Sequence, residues 1–470
     1  MASFIADPNT GVDFTSLDFD DLVGNVLVTQ SPNTWQTQFG FIGNDYVVYH
    51  GVGLTYTGGS PTGGTLNELQ RYESGALVYS VSGFSIPAAT FHAYLVADDV
   101  QGFLGQIFSG NDNITGSNQT DWLYGYNGND VINGNGGVDI LDGGSGNDSL
   151  YGGAATDVII GQAGNDLIDG GSGDDWVDGG AGNDTYYVDS TGDLASENKA
   201  GAAGGTDKVY STASEYTLFS NIEQLYLSGG GDINGKGNSL NNTIVGNSGN
   251  NDIDGSTGID TMTGGDGHDV YIVDNSKDVV TEGAGASSGM DTVHSTATSY
   301  ILANNVEQLV LLGDEDINGT GNALDNYIQG NDGANVLNGS GGKDTILALD
   351  GDDNINGGLG DDVILGNGGD DTINVSQGND RVLHTSFLDG HDVLTSFDGA
   401  AAGGQDVLDL DAFFDSADIA TADRGDLVSI VDNGATVDVG INFLGGVIVI
   451  ATLNTTSAVT IGEDVLVGTL

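Results

Sequence analysis

The sequence has no cysteine, only four prolines, and eight lysines and arginines against 68 aspartates and glutamates. Without cysteine there are neither disulfides nor thiolate metal sites. A formal charge of −60 repels nucleic acid and anionic membrane surfaces, so neither is expected as a partner. No apolar run approaches the roughly 18 residues that a membrane-spanning helix needs, and the chain is not expected to be transmembrane. The opening MASFIADPNTG lacks a basic stretch followed by an apolar one, so a Sec signal peptide is not expected. The six histidines (His50, His92, His268, His294, His384 and His391) are scattered and form no HExxH, which leaves a zinc protease unsupported.

What is abundant is glycine, at 80 of 470 residues, but without the strict triplet of collagen. Many acidic chains are disordered. Here, however, 38% of the residues are hydrophobic, and they recur at a fixed period. An aspartate returns every ninth residue through Asp112, Asp121, Asp130, Asp139, Asp148, Asp157, Asp166, Asp175 and Asp184. Two residues after most of them comes an apolar side chain: Leu123, Ile132, Leu141, Leu150, Ile159, Ile168, Val177 and Tyr186. A second array, from about 237 to 272, has Asn242, Asn251, Asp260 and Asp269 in the aspartate slot. A third, from about 321 to 383, has Asn326, Asn335, Asp344, Asp353, Asp362, Asp371 and Asp380. A period this strict marks a repeat architecture. The segments between the arrays are themselves duplicated: Asp184 matches Asp269, Glu223 matches Glu307 and Asn238 matches Asn322, at offsets of 85, 84 and 84 residues.

One unit, GGSGNDSLY (143–151), has six residues suited to a tight turn and three suited to a short strand with one apolar side chain inward. Two units make a coil of eighteen residues, and stacked coils make two parallel sheets. Aspartates i and i+18 then lie about 4.8 Å apart and repel by roughly 0.9 kcal/mol even at the dielectric of water. A hard divalent cation between coils reverses that sign. Ca²⁺ takes six to eight oxygens in flexible geometry, which suits carboxylates beside Gly-rich carbonyls, whereas Mg²⁺ demands a stricter octahedron. The lack of cysteine and scarcity of histidine argue against zinc.

The units GGSGNDSLY, GGSGDDWVD, GGAGNDTYY and GGLGDDVIL resemble the hemolysin-type calcium-binding repeats of the RTX family. The resemblance covers about residues 107 to 383. It implies an all-β protein whose core is a right-handed parallel β-roll with multiple Ca²⁺ ions in its turns. Its ligands would be Asp112, Asp121, Asp130, Asp139, Asp148, Asp157, Asp166, Asp175, Asp184, Asp260, Asp269, Asp344, Asp353, Asp362, Asp371 and Asp380, with backbone carbonyls of the adjoining turns. Gln119, Ala155 and Thr156 depart from the pattern, and asparagine replaces the acid at 242, 251, 326 and 335. Weaker sites or hydrogen-bonded amide ladders are expected there. The resemblance also implies an uncleaved C-terminal signal and export through a type I channel. The expected location is therefore outside, or on the surface of, a Gram-negative bacterium.

The expected organisation is a small N-terminal β-rich domain with short helices (1–106), the β-roll with two duplicated inserts (107–383, inserts 188–236 and 273–320), and a C-terminal β-cap (384–470). YVVYHGVGLTY and ALVYSVSGF read as strands separated by the turn-rich TGGSPTGG. Ser85 is a possible helix cap ahead of one or two short helices carrying Phe91, Leu95, Leu104 and Ile107 and interrupted near Gly102 and Gly105. No catalytic residue is expected. The single GxSxG, Gly285 to Gly289, lacks the apolar strand of a nucleophile elbow, and neither His50 nor His92 has a nucleophile placed with it. Trp35, Phe39, Phe41, Tyr46, Tyr49, Tyr56, Tyr72 and Tyr79 read as the core of the N-terminal domain or as a sugar-binding face. The expected function is a calcium-folded, nonenzymatic surface protein that self-assembles into a layer, filament or matrix. The rival is an adhesin whose N-terminal domain grips cell-surface polysaccharide or lipopolysaccharide; a third possibility is an enzyme with an unrecognised N-terminal site.

Overall fold

The computed structural model describes residues 100–198, 204–284, 289–386, 389–397, 406–416, 428–432, 436–443, 446–454 and 465–466. Within residues 1–99 it describes residue 90 and the strands 3–6, 26–31, 34–38, 46–57, 60–73 and 76–87. His92, Phe91, Leu95 and most of the GxSxG loop lie outside the described residues. The chain forms two compact units, Met1–Ser228 and Gly229–Leu470.

The first unit begins with an antiparallel sheet. Val26–Ser31, Thr34–Gln38, Tyr46–Thr57, Ser60–Glu73 and Ala76–Pro87 pair in sequence order. The hairpin between the third and fourth of these is tighter than its glycines imply. Thr57 pairs with Ser60, and the strand from Ser60 takes in Pro61, Gly63 and Gly64, with shifts of register around Thr55 and Tyr56. Such bulges are where a strand tolerates proline. Two further expectations are corrected here. Ser85 belongs to the strand Ala76–Pro87 and caps no helix. The helix that follows, Val100–Ile107, runs through Gly102 and Gly105 without interruption.

The strand Ser3–Ala6 joins this sheet to the repeats. It pairs antiparallel with Ala76–Pro87 on one side and parallel with Asn113–Thr115 on the other. From there the chain coils with a step of eighteen residues, so that Leu150 sits beside Ile132 and Ile168 in one sheet, and Ile159 beside Leu141 and Val177 in the other. All but Val177 are fully buried, and Val177 is nearly so. Each contributes about 1.5–3 kcal/mol by leaving water. Several strands are longer than the three residues expected. Ser149–Ala154, for example, continues through its glycine pair, because Gly153 keeps register with Asn135 and Gly171.

The second unit has the same construction. One apolar file runs through Ile253, Tyr271, Val293, Leu309, Ile328, Ile346, Ile364, Val382, Leu408 and Val465, each in register with the next. The file passes through the second insert unbroken, so this insert is built of coils like the arrays. At the C-terminal end Gly446–Asn454 pairs parallel with Asp392–Thr395 and opens an antiparallel meander with Val437–Phe443 and Val428–Asp432. A short helix, Asp411–Ser416, buries Phe413 and Phe414, where only strands are expected from the sequence.

Candidate metal centre

The aspartates of the nonapeptides do not face solvent. Asp121, Asp130, Asp139, Asp148, Asp157, Asp166, Asp175 and Asp184 are buried, as are Asp260, Asp269, Asp344, Asp353, Asp362, Asp371 and Asp380 in the second unit, and Asp112 at the head of the first. Within each unit they form columns, one on each side of the roll. The backbone N–H of each residue donates to Oδ1 of the acid one coil further on: Asp112 to Asp130 at 2.7 Å, Asp130 to Asp148 at 2.7 Å, Asp139 to Asp157 at 2.7 Å, and Asp344 to Asp362 at 2.9 Å. One oxygen of each carboxylate is thereby assigned a structural task.

The other oxygen is left over. Oδ2 of Asp130, Asp139, Asp148, Asp157, Asp166, Asp175, Asp184, Asp260, Asp269, Asp344, Asp353, Asp362, Asp371 and Asp380 is buried and accepts no hydrogen bond. Such an atom normally costs about 1–3 kcal/mol, and more when charged. Opposite Oδ2 of Asp130, Asp139, Asp157, Asp166 and Asp344 lies a glycine carbonyl. A methyl group built on Gly134 would stand 2.4 Å from Asp139 Oδ2 and 2.6 Å from the carbonyl oxygen of Gly152. The same pair of oxygens brackets Gly125, Gly152 and Gly161 at 2.4–2.6 Å. At these positions glycine preserves a small gap walled by a carboxylate oxygen and a carbonyl oxygen, whereas Ala348 and Val375 stand in the same place before Asp353 and Asp380. That is the donor chemistry of a calcium site.

Burial, opposed in part by the bond to the neighbouring N–H and reinforced by like charges above and below, raises these carboxyls. Asp130, Asp139 and Asp166 are pushed up to about 7, and Asp157, Asp175 and Asp184 to about 6. Among the described residues, Lys236, Lys343 and Arg381 form ion pairs with other acids, namely Asp254, Asp361 and Asp409.

Where the sequence departs from the pattern, the gap is filled from within. Asp121 Oδ2 takes the N–H of Ser117 at 2.5 Å and its hydroxyl at 2.9 Å. At the asparagine units the side-chain oxygen accepts an N–H of its own turn, as from Asn247 to Asn251 and from Asn331 to Asn335. The amide nitrogen donates back to the preceding coil, Asn251 to the Ile233 carbonyl at 2.6 Å and Asn335 to that of Ile317 at 2.8 Å. These are the amide ladders expected there. Ala155 and Thr156, by contrast, leave Asp157 Oδ2 unpartnered like its neighbours.

The columns also hold further acids, of which Asp193 and Asp278 extend the nine-residue count by one unit and the others depart from it. Asp193, Asp207, Asp278, Asp291, Asp392 and Asp406 accept the same bond, from Asp175, Asp184, Asp260, Asp269, Asp371 and Asp380. Glu223 and Glu307 accept it from Asp207 and Asp291, each only sixteen residues on, at 2.9 Å. The side chain is one methylene longer where the coil is two residues shorter. The duplication of Glu223 as Glu307 was a sequence signal for these two glutamates.

A family model, that of the RTX calcium-binding nonapeptide repeat, matches residues 108–141, 115–150, 133–167, 151–186, 236–275, 320–354 and 347–382. Over those residues the chain carries RTX calcium-binding nonapeptide repeats. Its parallel coils are the β-roll of such repeats, and it binds multiple Ca²⁺ ions. No curated protein matches the sequence. Among the described residues no helix is long and apolar enough to cross a membrane.

Proposed function

We propose that the ladder carboxylates hold Ca²⁺ between successive coils and that this RTX protein folds only where calcium is plentiful, outside the cell that makes it. Its proposed ligands are the fourteen aspartates with an unpartnered Oδ2, backbone carbonyls of the turns facing them, and Asp112 at the head of its column; Asp121, whose Oδ2 already takes the Ser117 N–H and hydroxyl, could join them only by giving up those bonds. The observation that carries the reading is the buried oxygen left over at every regular unit and its absence at the asparagine units. In a calcium-poor cytosol the same oxygens repel and keep the chain extended, which suits passage through a type I export channel; calcium outside then supplies folding free energy.

The role that fits such an object is structural and nonenzymatic: a calcium-rigidified scaffold at the bacterial surface. Self-assembly is the favoured use of it. The route by bare strand ends loses support, because Ser3–Ala6 and the meander from Gly446 cover one edge at the N-terminal and one at the C-terminal end of the repeats. A lateral route is supported by Val447, Ile448 and Val449, three consecutive exposed apolar residues. Sedimentation velocity with far-UV circular dichroism through a calcium titration tests both levels. β-structure and large particles appearing together are expected. A folded particle that stays monomeric would overturn assembly and leave the adhesin, and β-structure indifferent to calcium would overturn the whole reading.

A further inference from the structure

Where the first array meets its insert, the chemistry of the turn changes. Asp184, Glu197 and Asp207 bring three carboxylates together, each offering an oxygen within 4.8 Å of the other two. Asp269, Glu282 and Asp291 do the same at the second junction. All six are at least nine-tenths buried. In the first cluster Asp184 Oδ2, Glu197 Oε2 and Asp207 Oδ2 accept no hydrogen bond; in the second the same holds for Asp269 Oδ2 and Asp291 Oδ2, while Glu282 Oε2 takes the Gly283 N–H at 3.2 Å.

The glutamates belong to no nonapeptide, and each is held by a tyrosine. The Tyr186 hydroxyl accepts the N–H of Gly179 at 2.9 Å and donates to Glu197 Oε1. Tyr271 donates likewise to Glu282 Oε1. Both tyrosines occupy the apolar slot of the last regular unit and are fully buried. A phenol there in place of leucine or isoleucine has a hydroxyl to satisfy, and its bond fixes one oxygen of the glutamate beside the two aspartates.

We infer that Asp184–Glu197–Asp207 and Asp269–Glu282–Asp291 are a second class of cation site, taking one hard divalent ion each through three side-chain carboxylates, with Tyr186 and Tyr271 as positioning residues. Three buried anions require more cation charge than one carboxylate beside neutral carbonyls, so these sites bind more tightly than the regular turns and fill first. Each also clasps an enlarged coil. Asp184 is bonded to Asp207 across 23 residues, and Asp269 to Asp291 across 22, where the regular step is eighteen. The ion ties the far end of that coil to its start and to the glutamate between. The site shares Asp184 and Asp269 with the proposed nonapeptide ligands and so rests in part on that reading, whereas the glutamates separate the two.

The test uses the full chain with terbium in place of calcium, in crystals for anomalous scattering and in solution for tyrosine-sensitised emission. Anomalous peaks are expected inside both clusters, and the first ions added should give the strongest sensitised emission. Glu197→Gln and Glu282→Gln, made singly so that one intact clasp supports the fold, should each remove one peak and leave those in the regular turns. Tyr186→Phe should keep its peak and weaken binding there by about 10–100-fold, as loss of an orienting partner does. Peaks in the regular turns with none in the clusters would overturn the inference alone. No peak in either would overturn it together with the nonapeptide assignment.

Discussion

Withdrawing calcium at neutral pH should unfold the roll, and acid should partly restore it. In the first unit nine backbone N–H bonds link one ladder aspartate to the next, so nine pairs of carboxylates stand about one strand spacing, roughly 4.8 Å, apart. Each pair repels by about 0.9 kcal/mol at the dielectric of water and about 3.5 kcal/mol at an effective dielectric of 20. The nine together come to about 8 kcal/mol by the first figure and about 30 by the second. A domain has only about 5–15 kcal/mol of net stability, so the lower figure erodes the fold and the higher abolishes it. Cations in the gaps turn those repulsions into shared attraction.

Protons can do a weaker version of the same work. The folded carboxyls sit at about 6 to 7, above the unfolded value of about 3.9. Through that interval the metal-free fold therefore binds more protons than the unfolded chain. The resulting stability is fully present below about pH 4 and is lost as pH rises through 6 to 7. In excess chelator, circular dichroism at about pH 8 should show a disordered chain. β-structure should return as pH falls, with a midpoint between about 6 and 7 and before the chain reaches its isoelectric point near 4.1. In saturating calcium the midpoint should vanish from this range. A chelated chain with full β-structure at pH 8, or one that stays disordered at pH 5, would refute the electrostatic account of the ladder.

Five substitutions examine its parts. Asp139→Asn keeps an acceptor for the Asp121 N–H but removes the charge facing Asp121 and Asp157. It should stabilise the chelated fold by about 2 kcal/mol, two of the repulsions above, and weaken calcium binding, as opposite shifts of thermal midpoint with and without calcium. Gly134→Ala fills the gap between Asp139 Oδ2 and the Gly152 carbonyl. It should cost about 1–3 kcal/mol and lower calcium stoichiometry by dialysis although no acid is touched. Glu223→Asp shortens the reach to the Asp207 N–H and should cost about 1–3 kcal/mol in denaturant titrations, with Glu307→Asp its counterpart at Asp291. Ile159→Ala, in the middle of a fully buried file, should cost about 2–5 kcal/mol whether or not calcium is present.

The arrays were legible in the sequence because each unit repeats one local solution. A glycine spares room for an oxygen, an aspartate supplies one, and an apolar residue two places on turns inward. Any single unit predicts the rest, including Leu150 beside Ile168 and the buried Asp148 and Asp166. What escaped lies where the same physics is met with a different count. Asp207 and Asp291 continue the aspartate column after coils of 23 and 22 residues, and Glu223 and Glu307 after coils of sixteen. Register in a stacked sheet is set by the apolar file, and that file holds from each array into its insert: Tyr186 stands beside Val209 and Leu225 follows, as Tyr271 stands beside Val293 and Leu309 follows. Once the file fixes the strands, the loop between them can lengthen or shorten so long as some carboxylate reaches the N–H of the previous coil. The period of nine is therefore the commonest way to meet the condition, not the condition itself. A search for the ladder in sequence should look for an acid two residues before each inward-facing apolar residue, at whatever spacing the apolar file dictates. Asp207 before Lys208-Val209 and Asp291 before Thr292-Val293 satisfy it as well as Asp148 before Ser149-Leu150 does.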